Sequence, residues 1–118
     1  MLIRLNQNFV DVDGKAMLDR RESTDLEGNK TVVDCNLTLY RTIVLSLSDP
    51  AAKIESDTKI KYYELLVKVI TCKEKMQVEL ESEDVTAIKN AIKAKFVSPL
   101  VVGEAMEMLE NKKISITQ

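Results

Sequence analysis

The sequence predicts an α+β domain in which one or more N-terminal β-hairpins pack on a C-terminal bundle of three to four helices. Three observations carry this prediction. Turn signals at Asp13-Gly14 and Gly28-Asn29 punctuate short apolar runs in the N-terminal part. From residue 56 onward, apolar positions recur at helical spacing. The stretch Ser98-Pro99-Leu100-Val101-Val102-Gly103 is the clearest helix start in the chain. Ser98 can cap it, and Pro99 suits the first helical position, where a missing N–H costs no hydrogen bond.

The 118 residues fit one domain, β-rich over 1–36 and mainly helical over 37–118. A domain of this length buries about two-thirds of its unfolded surface, enough for a core without staples. Apolar residues make up 45% and charged residues 31%, which argues against a disordered chain. There is no Trp, and the aromatic residues are Phe9, Tyr40, Tyr62, Tyr63 and Phe96, so the core is expected to be aliphatic. A net charge of −2 gives no long-range attraction to nucleic acid or anionic membrane. No apolar run approaches the roughly 18 residues of a membrane span. Met1-Leu2-Ile3-Arg4-Leu5-Asn6 lacks the apolar segment of a secretory signal, so a cytoplasmic location is expected. In a reducing cytoplasm, Cys35 and Cys72 read as small buried hydrophobes, although their spacing does not exclude a disulfide.

Taken in order, residues 2–18 read as a β-hairpin. Ile3, Leu5, Phe9 and Val10 supply its apolar positions, Asp13-Gly14 a type I′ turn, and Ala16-Met17-Leu18 the start of the return strand. Residues 19–30 hold seven charges and one large apolar residue, Leu26. They read as a solvated loop or as the tip of a second hairpin turning at Gly28-Asn29, followed by a short strand over 31–35. Residues 37–47 fit two templates. Leu37, Leu39, Ile43, Leu45 and Leu47 suit a strand, whereas Leu39, Ile43 and Leu47 with Tyr40 and Val44 suit a helix capped by Thr38.

Residues 56–72 predict a helix capped by Ser56, with Ile60, Tyr63, Val67 and Ile70 in one apolar row and Tyr62, Leu65, Leu66 and Val69 in another. So wide an apolar face implies a central helix. Met76, Val78 and Leu80 alternate with polar residues as a short strand would. Ser82 then caps a helix whose stripe is Val85, Ile88, Ile92 and Phe96. The short break at Val97-Ser98 forces a sharp turn into the final helix. Gly103 inside that helix costs about 1 kcal/mol relative to Ala, which close approach of another backbone would explain. Asn111 is a reasonable stop, and Ile114 and Ile116 are expected to add an edge strand or to trail off as a tail.

The usual chemistry is not legible. The chain has no His, so no nucleophile–His pair exists. Glycines at 14, 28 and 103 make no phosphate cradle. Glu104, Glu107 and Glu110 have the spacing of a solvated helix face. Ser23, Asp25, Glu27, Gly28 and Asp34 mimic the spacing of a calcium loop, but a Ser leads, an Asp closes and no helices flank it. Neither catalytic residues, nor a metal, nor a cofactor is therefore predicted. The candidate contact residues are Arg20, Arg21, Glu22 and Asp25 in the charged stretch, Tyr62 as an aromatic anchor, Lys89 and Lys93 as a basic pair, and Met108 as an adaptable apolar contact off the main stripe.

Several motifs in order resemble those of small accessory proteins encoded by tailed bacteriophages. They are Leu5-Asn6-Gln7, Asp13-Gly14-Lys15, Leu37-Thr38-Leu39 and Lys59-Ile60-Lys61-Tyr62-Tyr63-Glu64-Leu65. Leu80, Ser82-Glu83-Asp84-Val85 and Ile88-Lys89 follow, then Ser98-Pro99-Leu100-Val101-Val102-Gly103-Glu104-Ala105. The resemblance implies that the Leu-Thr-Leu segment opens a helix, and that the protein works in a host cytoplasm by binding a host or phage protein. The leading expectation is thus a non-enzymatic protein-interaction module. A virion head or tail component that forms homo-oligomers comes second. Nucleic-acid binding through Lys89, Lys93 and Lys95 comes third.

Overall fold

A computed structural model of the chain describes residues 1–50 and 53–111. Its elements run β1 (Leu2–Arg4), β2 (Leu18–Thr24), β3 (Lys30–Asn36), α1 (Leu39–Ser48), α2 (Ser56–Thr71), β4 (Gln77–Glu79), α3 (Ser82–Lys95) and α4 (Pro99–Leu109). The α+β class and the mainly helical C-terminal part are as the sequence predicts. The expectation for Ile114 and Ile116 lies outside the described residues.

Residues 37–47 form the helix rather than the strand. The reason lies in its first turn, where every early amide has a partner. Leu39 N–H donates to Gln7 O (2.9 Å), Tyr40 N–H to Leu5 O (3.0 Å) and Thr42 N–H to Thr38 O (3.0 Å). Arg41 N–H donates to the Thr38 hydroxyl (3.2 Å). Thr38 therefore caps as expected, and the N-terminal segment supplies the carbonyls that a helix start lacks. The buried face of α1 carries Leu39, Thr42, Ile43, Ser46 and Leu47. Its two buried hydroxyls bond within the helix, Thr42 to Thr38 O and Ser46 to Thr42 O. No desolvated donor is left at the crossing with its neighbours. With α2 on one side and α3 on the other, α1 is the middle helix.

The second hairpin offered for residues 19–35 is present, but the strands are arranged differently from the 2–18 hairpin that the sequence predicts. β1 pairs antiparallel with β4, with Ile3 opposite Val78, and both side chains are buried. The return strand belongs instead to a second hairpin, in which β2 and β3 pair from Leu18 opposite Asn36 to Thr24 opposite Lys30. What remains of the first hairpin is a short turn bridged by Val10 and Ala16. Gly14 N–H closes this turn on Asp11 O at 3.0 Å. Only Gly14 takes a positive φ there, so the turn is not type I′, which needs two such residues. The Asp25–Gly28 turn repeats this geometry, with Gly28 N–H on Asp25 O at 3.1 Å.

Three further expectations are corrected. α2 is peripheral rather than central: Tyr62, Leu65 and Val69 face the core, while Ile60, Tyr63, Val67 and Ile70 are exposed. The N-caps of α2 and α3 are Glu55 and Glu81, each one residue before the predicted serine. At α3, Asp84 takes the Glu81 N–H (3.4 Å) and also Lys61 Nζ (2.7 Å), so the acidic first turn ties α3 to α2. Gly103 is exposed, and nothing lies within 4 Å of where its Cβ would be. No close approach justifies it. α4 otherwise begins as predicted, with Pro99 in its first turn and the Ser98 hydroxyl accepting from Val101 N–H.

Substitution of Gly103 by Ala is expected to raise stability by about 0.5–1 kcal/mol. Ile43→Ala, in the fully buried face of α1, is expected to lower it by about 2–5 kcal/mol. Urea unfolding of both variants checks the pair, and a destabilised Gly103→Ala protein would restore the close-approach explanation.

Candidate interaction surfaces

The most exposed element of the fold is the β2–β3 hairpin. Every residue from Arg20 to Asp34 is exposed, so the ribbon has neither a covered face nor a third strand. Its attachment lies at the root. Phe9 N–H donates to Leu37 O (2.9 Å), Met17 N–H to Phe9 O (2.8 Å) and Leu37 N–H to Met17 O (2.7 Å). Asp19 accepts from Arg41 of α1 at 3.0 Å. At the tip, Asp25 accepts from the amides of Glu27 (2.9 Å) and Asn29 (2.8 Å). The Asn29 amide foremost holds the Asp25 carboxyl below its ordinary range. Leu26 projects from this turn fully into solvent.

The ladder also shows which backbone groups are free. The bonds of Leu37 to Met17 and of Asp25 to Asn29 bracket the hairpin. In an antiparallel pair, bonded and non-bonded positions alternate. Asp19, Arg21 and Ser23 with their partners thus close the ladder. The N–H and C=O groups of Arg20, Glu22, Val32 and Asp34 point outward from the two edges.

The predicted contact residues divide between surface and core. Arg20, Arg21, Glu22 and Asp25 all lie on the arm, where Arg20 pairs with Asp34 (3.3 Å) and Arg21 with Asp19 (3.1 Å). Tyr62 points into the core and is 9% exposed. Its neighbour Tyr63 is the aromatic residue at the surface. Met108 is half-buried and packs against the core rather than standing free. Lys89 is ion-paired with Glu110 (2.7 Å) and Lys95 with Asp49 (2.9 Å), while Lys93 is exposed. Asp25 serves its own turn, and no group of three or more His, Cys, Asp or Glu positioned for a metal occurs among the described residues. Cys35 and Cys72 are free thiols, both half-buried.

A second surface lies on α2. Beside its exposed row runs a groove of about 450 Å³, lined by Leu47, Pro50, Ile54, Tyr62, Tyr63 and Leu66, with Lys53 and Lys59 also on its wall. The sequence shows the apolar row, but not that it faces solvent. No helix among the described residues is long and apolar enough to cross a membrane.

The Glu104 carboxyl is raised above its ordinary range, chiefly by burial. One of its oxygens accepts from Val10 N–H (3.1 Å), while the other is buried without a partner. Glu104 thereby pins the first turn to α4. No protein-family model, curated protein or solved structure matches the chain.

Because folding raises its affinity for a proton, the stabilising effect of Glu104 is complete below its ordinary value of 4.5. It is lost as pH climbs through the raised value. Urea midpoints measured from acid to neutral pH are expected to show this decline, and Glu104→Gln is expected to flatten it. An unchanged pH slope in the variant would count against the burial of this carboxyl.

Proposed function

We propose that the protein is a non-enzymatic interaction module whose β2–β3 arm binds another protein. The carrying observation is the exposure of the arm on both faces and both edges. An isolated two-stranded hairpin is marginal in water, and stability rises when a third strand or a covering surface is added. The outward backbone groups at Arg20, Glu22, Val32 and Asp34 supply the hydrogen bonds for an added strand. The Arg20–Asp34 pair next to them gives side-chain register.

The charges of the arm argue for a protein rather than a nucleic acid. Asp19, Glu22, Asp25, Glu27 and Asp34 outnumber Arg20, Arg21 and Lys30. Both arginines are already paired with carboxylates, and counterion release at phosphates requires available cations. The resemblance to phage accessory proteins makes a host or phage protein in the bacterial cytoplasm the natural partner. A second reading, self-assembly as a structural component, is favoured by the exposed apolar row of α2.

The test is parallel affinity purification from bacterial lysate with the wild-type protein and with Val32→Pro. Proline at position 32 removes an outward N–H and leaves the hairpin's own ladder intact. The wild type is expected to retain a stoichiometric protein that the variant loses. Equal retention by both, or none by either, would remove the arm as the binding element.

A further inference from the structure

The side chains of α2 that the core leaves unused form a pattern. Ile60, Tyr63, Val67 and Ile70 are 59%, 67%, 45% and 46% exposed. They follow one another at intervals of three, four and three residues, the a and d positions of two heptads. In that frame Ile60 and Val67 occupy a, Tyr63 and Ile70 occupy d, Lys59 occupies g, and Glu64 occupies e. Lys61 and Lys68 lie outside the seam and are held by Asp84. Lys59 and Glu64 are exposed, and neither makes an ion pair among the described residues.

We infer that α2 is a dimerisation helix, pairing in parallel with α2 of a second copy of this chain. β-branched residues at a are those of parallel two-stranded pairs, which carry Leu at d where this helix has Tyr63 and Ile70. Charge supplies the orientation. In a parallel pair each g residue faces the e residue five positions on in the other helix, so Lys59 of each copy meets Glu64 of the other, twice by symmetry. An antiparallel pair would set Glu64 against Glu64, like charges facing each other. Tyr63 is large for a d position, and the groove bounded by Pro50, Ile54 and Leu66 gives its ring room to lean aside. Four partly exposed side chains per copy make a small interface, below about 1,200 Å², which fits a reversible dimer rather than a permanent one.

Sedimentation equilibrium from about 1 µM to 1 mM tests this, with a dissociation constant expected inside that range. Val67→Lys places a charge in the seam at an exposed site and is expected to leave a monomer with unchanged helical content. Lys59→Glu is expected to weaken the dimer about ten-fold, because the new carboxylate of each copy then faces Glu64 of the other. Mixing the Lys59→Glu and Glu64→Lys proteins is expected to restore wild-type strength in the mixed dimer. Val32→Pro on the arm is expected to leave dimerisation unchanged, so this test is independent of the arm. A monomer at every concentration, a dimer indifferent to Val67→Lys, a dimer tightened by Lys59→Glu, or a mixture no stronger than its components would overturn the inference.

Discussion

The fold depends on how the first turn of α1 is satisfied. A helix start leaves four amides without intrahelical partners, and here the chain between β1 and the first turn provides for the first two of them. Leu5 and Gln7 lend their carbonyls to Tyr40 and Leu39, the Thr38 hydroxyl serves Arg41, and the Thr38 carbonyl opens the intrahelical ladder at Thr42. The same segment carries Leu5 and Phe9 into the core and continues directly from β1. One run of backbone thus fixes the middle helix, locates the small β1–β4 sheet and sets the exit of the hairpin arm.

The buried and exposed parts of the molecule follow from that knot. Inward of it lie Ile43, Ile88, Ile92 and Leu109, fully buried among the helices, with β1 and β4 closing one side. Outward of it, the arm is held by three backbone bonds among Phe9, Met17 and Leu37 and by the Asp19–Arg41 pair. The arm lacks apolar burial, so its local stability is expected to be the lowest of the strand elements. α2 is intermediate in character. One row of its side chains anchors it to α1, the Lys61–Asp84 pair fastens it to α3, and its other row remains in solvent.

Legibility in the sequence differs by element. The start of α4 can be read from Ser98 and Pro99 because both signals are local. The choice between strand and helix at 37–47 cannot be read from those residues alone, because the carbonyls that favour the helix come from Leu5 and Gln7, more than 30 positions away. The turns carry a further local signal. Asp11-Val12-Asp13-Gly14 and Asp25-Leu26-Glu27-Gly28 share one pattern, an Asp that accepts two amides and a Gly three residues on. The repeat is visible in the residues themselves, and it marks both tips. Among the candidate contact residues, the exposure of Arg20, Arg21 and Glu22 is legible because a stretch that is charged at every face cannot be buried. Tyr62 and Tyr63 are not distinguishable, since adjacent helical positions differ by only about 100° and either could face the core.

Residue order alone settles the class, the aliphatic core, the late helices and the solvated arm, since each follows from local periodicity, capping and charge. Packing in three dimensions settles which strands pair and which of two apolar rows on α2 is left in water. A strand's partner is set by what lies beside it in space, and a helix with two apolar rows buries the one that its neighbours have room to cover.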